Sequence, residues 1–261
     1  MSIVTRELME QVIHAVRQAG SLMAAPGAIK TITAKRPADY VTNIDFAVQA
    51  ALQSRLAELA PEIQFLGEEG QKQEIDPARP FWILDPVDGT TNLIHQFRHS
   101  AVSLALAEYG QVALGVVYHP YTEECFTARR SGGAFCNGRP IRVSRAASLS
   151  DSLLSTGTVP GRRDLADDAF RQMRLLYDRC QDIRRTGCAS LDLCWVASGR
   201  LDGFVELALQ PWDYAAGLLL VEEAGGRITA ADGSSLSLTR GGSVLASNAI
   251  LHHQLLNILN R

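Results

Sequence analysis

The stretch Phe81–Asn92 (Phe-Trp-Ile-Leu-Asp-Pro-Val-Asp-Gly-Thr-Thr-Asn) contains the residues whose types and spacing best fit a chemical role. Its four leading apolar residues predict a short buried strand, which Pro86 is expected to end because proline cannot donate to a sheet ladder. Asp85 and Asp88 would then stand beside a glycine turn and a helix start that Asn92 could cap. Carboxylate oxygens suit a hard cation such as Mg²⁺, and free backbone amides suit a phosphate. The stretch predicts metal-assisted phosphate chemistry, with an ordinary polar turn as the alternative.

Two adjacent acids, Glu68 and Glu69, follow a second predicted strand over residues 63–66. Because side chains alternate along a strand, one acid can point into a site while its neighbour points away. The alternative is that both are solvated.

The sequence Thr-Asn-Ile-Asp at residues 42–45 predicts the start of a helix that runs to about Ala60. Thr42 or Asn43 would be its N-cap, and Asp45 would lie in the first turn, where a negative charge is favourable. The helix is expected to bury part of five apolar residues: Phe46, Ala50, Leu52, Leu56 and Leu59. Residues 35–39 before it are expected to form a polar loop, in which Lys35 either contacts a phosphate or a metal-bound water, or is solvated.

The remaining predicted elements show a different pattern of secondary structure in the two halves of the chain. Residues 3–24 predict a helix that ends at Pro26-Gly27, and strands at 101–107, 112–119, 124–128 and 141–143 predict an antiparallel meander with a tight hairpin at Asn137-Gly138. After residue 150, strands and helices alternate, which is typical of a layered α/β arrangement. We therefore expect a mixed α/β fold with an N-terminal α+β lobe over residues 1–145 and a C-terminal α/β lobe over residues 146–261.

The composition excludes several classes of protein. The 261 residues carry a net charge of −3, which gives no general attraction to nucleic acid or an anionic membrane. The five cysteines are odd in number and form no Cys-x-x-Cys, so we expect no disulfide framework, no zinc site and a reducing compartment. No stretch approaches the ~18 apolar residues of a membrane span, so a cytoplasmic location is expected. The pair His252-His253 is expected to lie on the surface.

Three acidic motifs, taken together, resemble the inositol monophosphatase family over essentially the whole chain. They are Gly67-Glu68-Glu69, Asp85-Pro-Val-Asp-Gly-Thr-Thr-Asn92 and Pro211-Trp-Asp-Tyr-Ala-Ala-Gly217. The chain is most similar to the bacterial inositol-1-monophosphatases, which are magnesium-dependent, lithium-sensitive phosphatases. The resemblance implies a layered α/β/α/β/α sandwich of the inositol monophosphatase and fructose-bisphosphatase type, commonly a homodimer, with two or three Mg²⁺ ions in each active site.

The resemblance also implies a role for individual residues. The metal ligands would be Glu68, Asp85, the main-chain carbonyl of Val87, Asp88 and Asp213. Glu68, Asp45 and Thr90 would be catalytic, because they match the residues that orient the nucleophilic water. The substrate would be bound by Asp88, Gly89, Thr90, Gly187, Cys188, Ala189, Glu206 and Asp213, with Glu206 on its hydroxyl groups. Cys188 stands where a Thr or Ser is frequent, and a thiol is a poorer hydrogen-bond donor than a hydroxyl.

The expected activity is hydrolysis of an inositol phosphate to myo-inositol and phosphate. Two metal ions ~3.5–4 Å apart can activate a water molecule and stabilise the leaving oxygen of an in-line displacement, without a phosphoenzyme. Alternative substrates within the family are fructose-1,6-bisphosphate, histidinol phosphate and 3′(2′),5′-bisphosphonucleotides, although Glu206 should repel a second phosphate and so favours a neutral polyol.

Two other classes of protein remain as alternatives. A haloacid-dehalogenase-like phosphatase uses Asp-x-Asp-Gly-Thr, and here the two acids are one residue too far apart. A non-catalytic protein- or RNA-binding module could also retain the fold, although the expected partner is a small phosphorylated polyol, with no membrane or nucleic acid.

Overall fold

The bounds of the helices and strands are those of the computed structural model, which describes residues 2–25, 27–70 and 74–260. The helices are α1 (Arg6–Ala24), α2 (Asn43–Leu59), α3 (Thr90–Ile94), α4 (Ala166–Tyr177), α5 (Ala189–Ala197), α6 (Pro211–Glu223) and α7 (His252–Leu259). The first strands are β1 (Ile32–Arg36), β2 (Asp39–Thr42), β3 (Gln64–Gly67), β4 (Phe81–Asp88), β5 (Ala101–Glu108), β6 (Gln111–His119), β7 (Glu124–Arg129), β8 (Gly133–Cys136) and β9 (Arg139–Pro140). The later strands are β10 (Leu153–Thr156), β11 (Asp182–Arg184), β12 (Gly203–Leu209), β13 (Arg227–Thr229) and β14 (Gly242–Ser247).

The elements pack in five layers. A seven-stranded sheet has the order β3-β4-β5-β6-β7-β8-β9, and a five-stranded sheet has the order β11-β10-β12-β14-β13. Helices α1 and α2 cover the outer face of the larger sheet, α5 and α6 fill the space between the sheets, and α4 and α7 cover the outer face of the smaller one. This packing confirms the expected α/β/α/β/α order.

Strand β4 is buried on both faces because helices cover both sides of its sheet. Phe81 and Ile83 pack into the core with α5 and α6, whereas Trp82 and Leu84 pack into the core with α1 and α2. Side chains alternate between the faces of a strand, so a strand buried on both sides has a continuous apolar sequence.

The prediction that Pro86 ends this strand was wrong. Strand β4 continues to Asp88, and its pairing with β5 shifts between Asp85, opposite Ser103, and Asp88, opposite Ala101. One strand advances three residues while the other advances two, which is a β-bulge. A proline is tolerated at a bulge because no ladder hydrogen bond is required of it.

Several other local predictions need correction. Residues 35–39 are not a loop throughout, because β1 and β2 form a hairpin around Pro37 and Ala38. No strand forms over residues 141–143, although the Asn137-Gly138 hairpin is confirmed by the pairing of Cys136 with Arg139. Phe46 is 51% exposed, which contradicts its predicted burial. Ala50 is exposed as well.

The predicted helix end at Pro26 lies outside the described residues. His252 was wrongly expected at the surface: it is buried, and its ring lies within hydrogen-bond distance of Thr229 Oγ1 and Ser247 Oγ. In the described part of the chain, none of the helices has the length and apolar character needed to cross a membrane. All five cysteines are free in the structure. The division into lobes at 145/146 stays a prediction, with the larger sheet ending at Pro140 and the smaller one beginning at Leu153.

Candidate active site

A cavity of about 470 Å³ lies where the ends of β4, β10 and β12 meet the first turns of α5 and α6. It brings together nearly every residue that the sequence predicts for the site. The predicted residues that line it are Glu68, Asp85, Val87, Asp88, Gly89, Thr90, Gly187, Cys188, Ala189, Glu206 and Asp213. Asp45 does not line the cavity but lies behind Thr90.

The bulge at the end of β4 fixes the geometry of the central acids. The Asp85 carboxylate is buried and accepts a hydrogen bond from the Val87 amide at 2.9 Å. Gly89 is the N-cap of α3 and has a φ of 86°, which favours glycine. A Cβ at Gly89 would also lie 3.0 Å from the His99 carbonyl oxygen and 3.1 Å from that of Gly187. Only glycine therefore fits this turn without strain.

Asp88 joins the two halves of the chain. Its Oδ2 accepts hydrogen bonds from the Ser190 amide at 2.6 Å and from the Cys188 thiol at 3.2 Å. Both donors belong to the start of α5, where free amides and the helix dipole favour a negative charge. The thiol hydrogen of Cys188 is directed to this acid, and the substrate contact predicted for Cys188 stays a prediction.

Asp45 is fully buried and controls the orientation of Thr90. One carboxylate oxygen of Asp45 accepts hydrogen bonds from the Thr42 amide at 2.8 Å and the Thr42 hydroxyl at 2.6 Å. Its other oxygen lies 3.1 Å from Thr90 Oγ1, which is also 3.0 Å from the Val87 carbonyl. Thr42 is the N-cap of α2; Asn43 instead accepts hydrogen bonds from the backbone of the preceding loop.

Glu68 points into the cavity, whereas Glu69 does not line it. Lys35, which the sequence left open, forms ion pairs with both acids, with Nζ 3.0 Å from Glu68 Oε1. Burial raises the pKa of Glu68 to about 7, although the Lys35 ammonium acts in the opposite direction. Glu68 therefore changes its charge near neutral pH.

Asp213 and Glu206 complete the cavity from the second half. Asp213 Oδ2 accepts a hydrogen bond from the Gln210 amide at 2.6 Å, in a capping box at the start of α6. The Glu206 carboxylate lies directly over Gly157, where any Cβ would overlap it, and accepts a hydrogen bond from the Val159 amide at 3.3 Å. Burial raises the pKa of Glu206 to about 7, and Arg185 opposes this shift.

The clustered acids repel one another. Burial raises the pKa of Asp85 well above its ordinary value, and the charges of Glu68, Asp88 and Asp213 raise it further. The pKa of Asp213 is also raised well above its ordinary value, first by burial and then by the charges of Asp88 and Glu68. Such oxygen donors with uncompensated negative charge fit a hard divalent cation. Within residues 2–25, 27–70 and 74–260, no three acidic, imidazole or thiol side chains are already arranged as a metal shell. Glu68 is instead held by Lys35.

Sequence reasoning did not identify several residues that shape the cavity. Asn92 was predicted as a helix cap, but it lies inside α3 and donates to the carbonyls of His99 at 2.8 Å and Thr186 at 2.9 Å. Asp192 and Arg185 line the cavity as well. Each of them has a partner that is distant in the sequence, at separations of 94 residues for Asn92, 37 for Asp192 and 27 for Arg185, which a local pattern does not reveal.

The fold and the site together define a layered α/β protein whose carboxylate-lined cavity suits a divalent cation and a phosphate. Residues 2–261 match the model of the inositol monophosphatase family, and the chain belongs to this family. It is 39% identical to an inositol-1-monophosphatase of Rhizobium meliloti, with 97% of this chain and 96% of that protein covered. It is 38% identical to the Nus factor SuhB of Escherichia coli, with 94% and 93% covered.

Solved structures agree with this assignment. The extragenic suppressor protein SuhB of Bartonella henselae superposes with a TM-score of 0.91 at 35% identity, covering 98% of this chain and 99% of that one. An inositol monophosphatase/NADP phosphatase complexed with Mg²⁺ and phosphate has a TM-score of 0.82 at 30% identity, covering 97% and 92%. A staphylococcal inositol monophosphatase in an inhibitory complex soaked in LiCl has a TM-score of 0.82 at 29% identity, covering 97% and 92%.

Proposed function

We propose that the chain hydrolyses an inositol monophosphate to myo-inositol and phosphate in a Mg²⁺-dependent reaction. The observation that carries this proposal is the convergence of Glu68, Asp85, Asp88 and Asp213 on one cavity beside the Gly89 turn. Acids separated by up to 145 positions share this cavity, as hydrolysis assisted by a shared cation requires. The magnesium and lithium in the two related structures support the same cation chemistry.

The residues that would hold two or three Mg²⁺ ions are the carboxylates of Glu68, Asp85, Asp88 and Asp213 and the carbonyl of Val87. When bound, Mg²⁺ would polarise the phosphate, lower the pKa of a coordinated water and neutralise the leaving oxygen.

The protein groups would position the reactants. Thr90, whose hydroxyl lies between Asp45 and the Val87 carbonyl, would orient the attacking water. Glu68 would accept its proton, because its carboxylate lines the cavity among the proposed metal ligands. The free amides at Gly89 and the start of α3 would hold the phosphate oxygens.

Other lining residues would recognise the alcohol part of the substrate. Glu206 lines the cavity with Gly187 and Ala189, and its carboxylate would accept hydrogen bonds from ring hydroxyls. Cys188 would act mainly through Asp88, since its thiol already donates to that acid.

Steady-state hydrolysis of a panel of phosphate monoesters, titrated with Mg²⁺, tests the proposal. We expect turnover of inositol-1-phosphate that requires Mg²⁺ and is inhibited by Li⁺. In ¹⁸O-labelled water, one solvent oxygen should enter the phosphate in a single turnover, with none in the protein. A covalent phosphate trapped on Asp85 by rapid quenching would instead indicate the haloacid-dehalogenase type of mechanism, since water attacking the phosphorus of an aspartyl-phosphate also puts one solvent oxygen into the phosphate.

A substrate with a second anionic group is the second candidate, because Arg163 and Arg185 also line the cavity. The panel should therefore include fructose-1,6-bisphosphate, histidinol phosphate and a 3′(2′),5′-bisphosphonucleotide. R185A would separate the two candidates: it should impair a bisphosphate more than a monophosphate if the guanidinium binds the second phosphate.

A binding role for protein or RNA is a third candidate, since one relative is named a Nus factor. Absence of turnover with the whole panel at every Mg²⁺ concentration would favour it. We further propose a homodimer and a cytoplasmic location, the latter supported by five free cysteines. Light scattering after size-exclusion chromatography and cell fractionation would test these two points.

A further inference from the structure

Asp192 is a buried acid in the wall of the cavity with no part in the mechanism above. It lies in the first turn of α5, four residues after Cys188, whose carbonyl accepts the Asp192 amide hydrogen at 3.1 Å. The residue is 2% exposed, and none of the ion pairs in the described ranges includes it. A buried carboxylate without a cationic partner is costly, so the protonation state of Asp192 needs an explanation.

The hydrogen-bond partners of Asp192 allow its protons to be counted. Asp192 Oδ2 lies 2.7 Å from the hydroxyl of Thr186, and Oδ1 lies 3.0 Å from the hydroxyl of Ser155. Ser155 Oγ is also 3.1 Å from the carbonyl of Arg184. A serine hydroxyl has one proton and a carbonyl can only accept. If Asp192 were ionised, Ser155 could satisfy only one of its two acceptors.

A proton on Asp192 Oδ1 satisfies every member of this group. Asp192 would donate to Ser155, Ser155 would donate to the Arg184 carbonyl, and Thr186 would donate to Asp192 Oδ2. Fully satisfied buried networks are stable, whereas partly satisfied ones are costly.

The charges around Asp192 act in the same direction. Glu206 on β12 and Asp88 on β4 both face it and disfavour its negative charge. The two nearby guanidinium groups are engaged elsewhere, Arg184 with Asp182 and Arg185 with Thr158. Burial, with these like charges, raises the pKa of Asp192 to about 8.

We propose that Asp192 is a positioning residue that acts as a neutral carboxylic acid, tying the loop at residues 186–188 to strand β10. This loop positions the proposed metal ligand Asp88, because Cys188 in the loop and Ser190 just after it donate hydrogen bonds to Asp88. Thr186 links the two ends, since its hydroxyl lies 2.7 Å from Asp192 and 3.4 Å from the Cys188 amide. Asp192 thus sets the placement of Asp88 without touching the substrate. The kinetic part of this inference rests on the proposed phosphatase function; the protonation state does not.

The decisive variant is D192N. An asparagine amide reproduces the neutral acid, because its NH₂ donates to Ser155 and its oxygen accepts from Thr186. D192A would lose both bonds. The matched control is D202N: Asp202 is also buried, but both of its contacts are donors, namely the Leu153 amide at 2.7 Å and the Ser144 hydroxyl. Ser144 accepts a hydrogen bond from Asn248, so its own proton is available for Asp202.

Three measurements test the proposal. We expect the kcat/KM of D192N with Mg²⁺ to stay within about threefold of the wild type, and that of D192A to fall at least tenfold. D192N should be at least as stable as the wild type at pH 7, because the wild type must protonate Asp192 on folding, whereas D202N should lose stability. The decline in stability that Asp192 causes between pH ~4 and pH 8 should disappear in D192N, because an amide does not ionise.

Infrared difference spectra of ¹³C-aspartate-labelled protein, wild type minus D192N, report the proton directly. A protonated carboxyl band at pH 7 that disappears above pH 8 is expected. Absence of this band, or a D192N variant as unstable as D202N, would overturn the proposal. Spectrum and stability remain decisive even if D192A does not fold or no substrate of the panel is hydrolysed, so failure of the proposed function would be recognised separately.

Discussion

Binding of Mg²⁺ should depend steeply on pH, because Glu68 must lose a proton before it can act as a ligand. With a pKa of about 7, Glu68 is ionised in roughly one molecule in eleven at pH 6 and in about ten of eleven at pH 8. Glu68 alone should therefore weaken the apparent Mg²⁺ affinity about tenfold, or ~1.4 kcal/mol, between pH 8 and pH 6. The raised pKa values of Asp85 and Asp213 would add to this effect.

Isothermal titration calorimetry at pH 6, 7 and 8 measures this dependence. Repeating each titration in two buffers of different ionisation enthalpy gives the number of protons released, to which Glu68 should contribute about half a proton at pH 7. The variant E68Q should bind Mg²⁺ more weakly and lose the tenfold part of the pH dependence. E69Q is the control, because Glu69 also pairs with Lys35 but does not line the cavity.

The same shift has a consequence for stability without metal. The pKa of Glu68 in the folded chain lies above the ~4.3 of an unfolded chain, so its contribution to stability is fully present below pH ~4 and is lost as pH rises through 7. The prediction for Mg²⁺ binding is refuted if the wild type and E68Q show the same pH dependence of Mg²⁺ affinity.

Three further variants test other parts of the site. D88N should reduce kcat at least a thousandfold, which is ~4 kcal/mol in activation free energy. The metal-free variant should be as stable as the wild type, because the substitution removes one of the charges that repel Asp85. Steady-state kinetics and thermal unfolding measure these two effects. G89A should lower kcat/KM at least tenfold, because its Cβ would crowd the His99 carbonyl at a φ of 86°; unchanged kinetics would mean that the turn does not bind phosphate. G157A should raise the KM for inositol-1-phosphate with a smaller change in kcat, because its Cβ displaces Glu206; an equal effect on substrates without ring hydroxyls would contradict this role.

The sequence predicts those features that depend on neighbouring residues. The apolar run before Asp85 indicates a buried strand, and Asn137-Gly138 indicates a tight turn. In the structure both residues of that turn have positive φ values, which Asn and Gly tolerate best. The acids that line the cavity are identifiable because three separated motifs resemble those of the inositol monophosphatase family in order and spacing.

Features that depend on distant contacts could not be predicted. The bulge at Pro86 arises because β4 must pair with β5 while still delivering Asp88 to the cavity. Strand β1 was missed because all its side chains are exposed, so it carries no periodic apolar signal. His252 is buried by hydroxyl partners that stand 23 and 5 residues away, which its own neighbourhood does not reveal.

The position of Asp88 links the assembly of the fold to the assembly of the site. Asp88 belongs to the larger sheet, yet its hydrogen bonds come from α5, which packs between the two sheets. Asn92 reinforces the same junction by binding the Thr186 carbonyl. Docking of the halves therefore creates the cavity and, in the same step, brings together acids that repel one another. A cation bound there relieves the repulsion only in the docked state. Mg²⁺ should consequently stabilise the junction itself, by ~2.7 kcal/mol at a free concentration 100 times its dissociation constant.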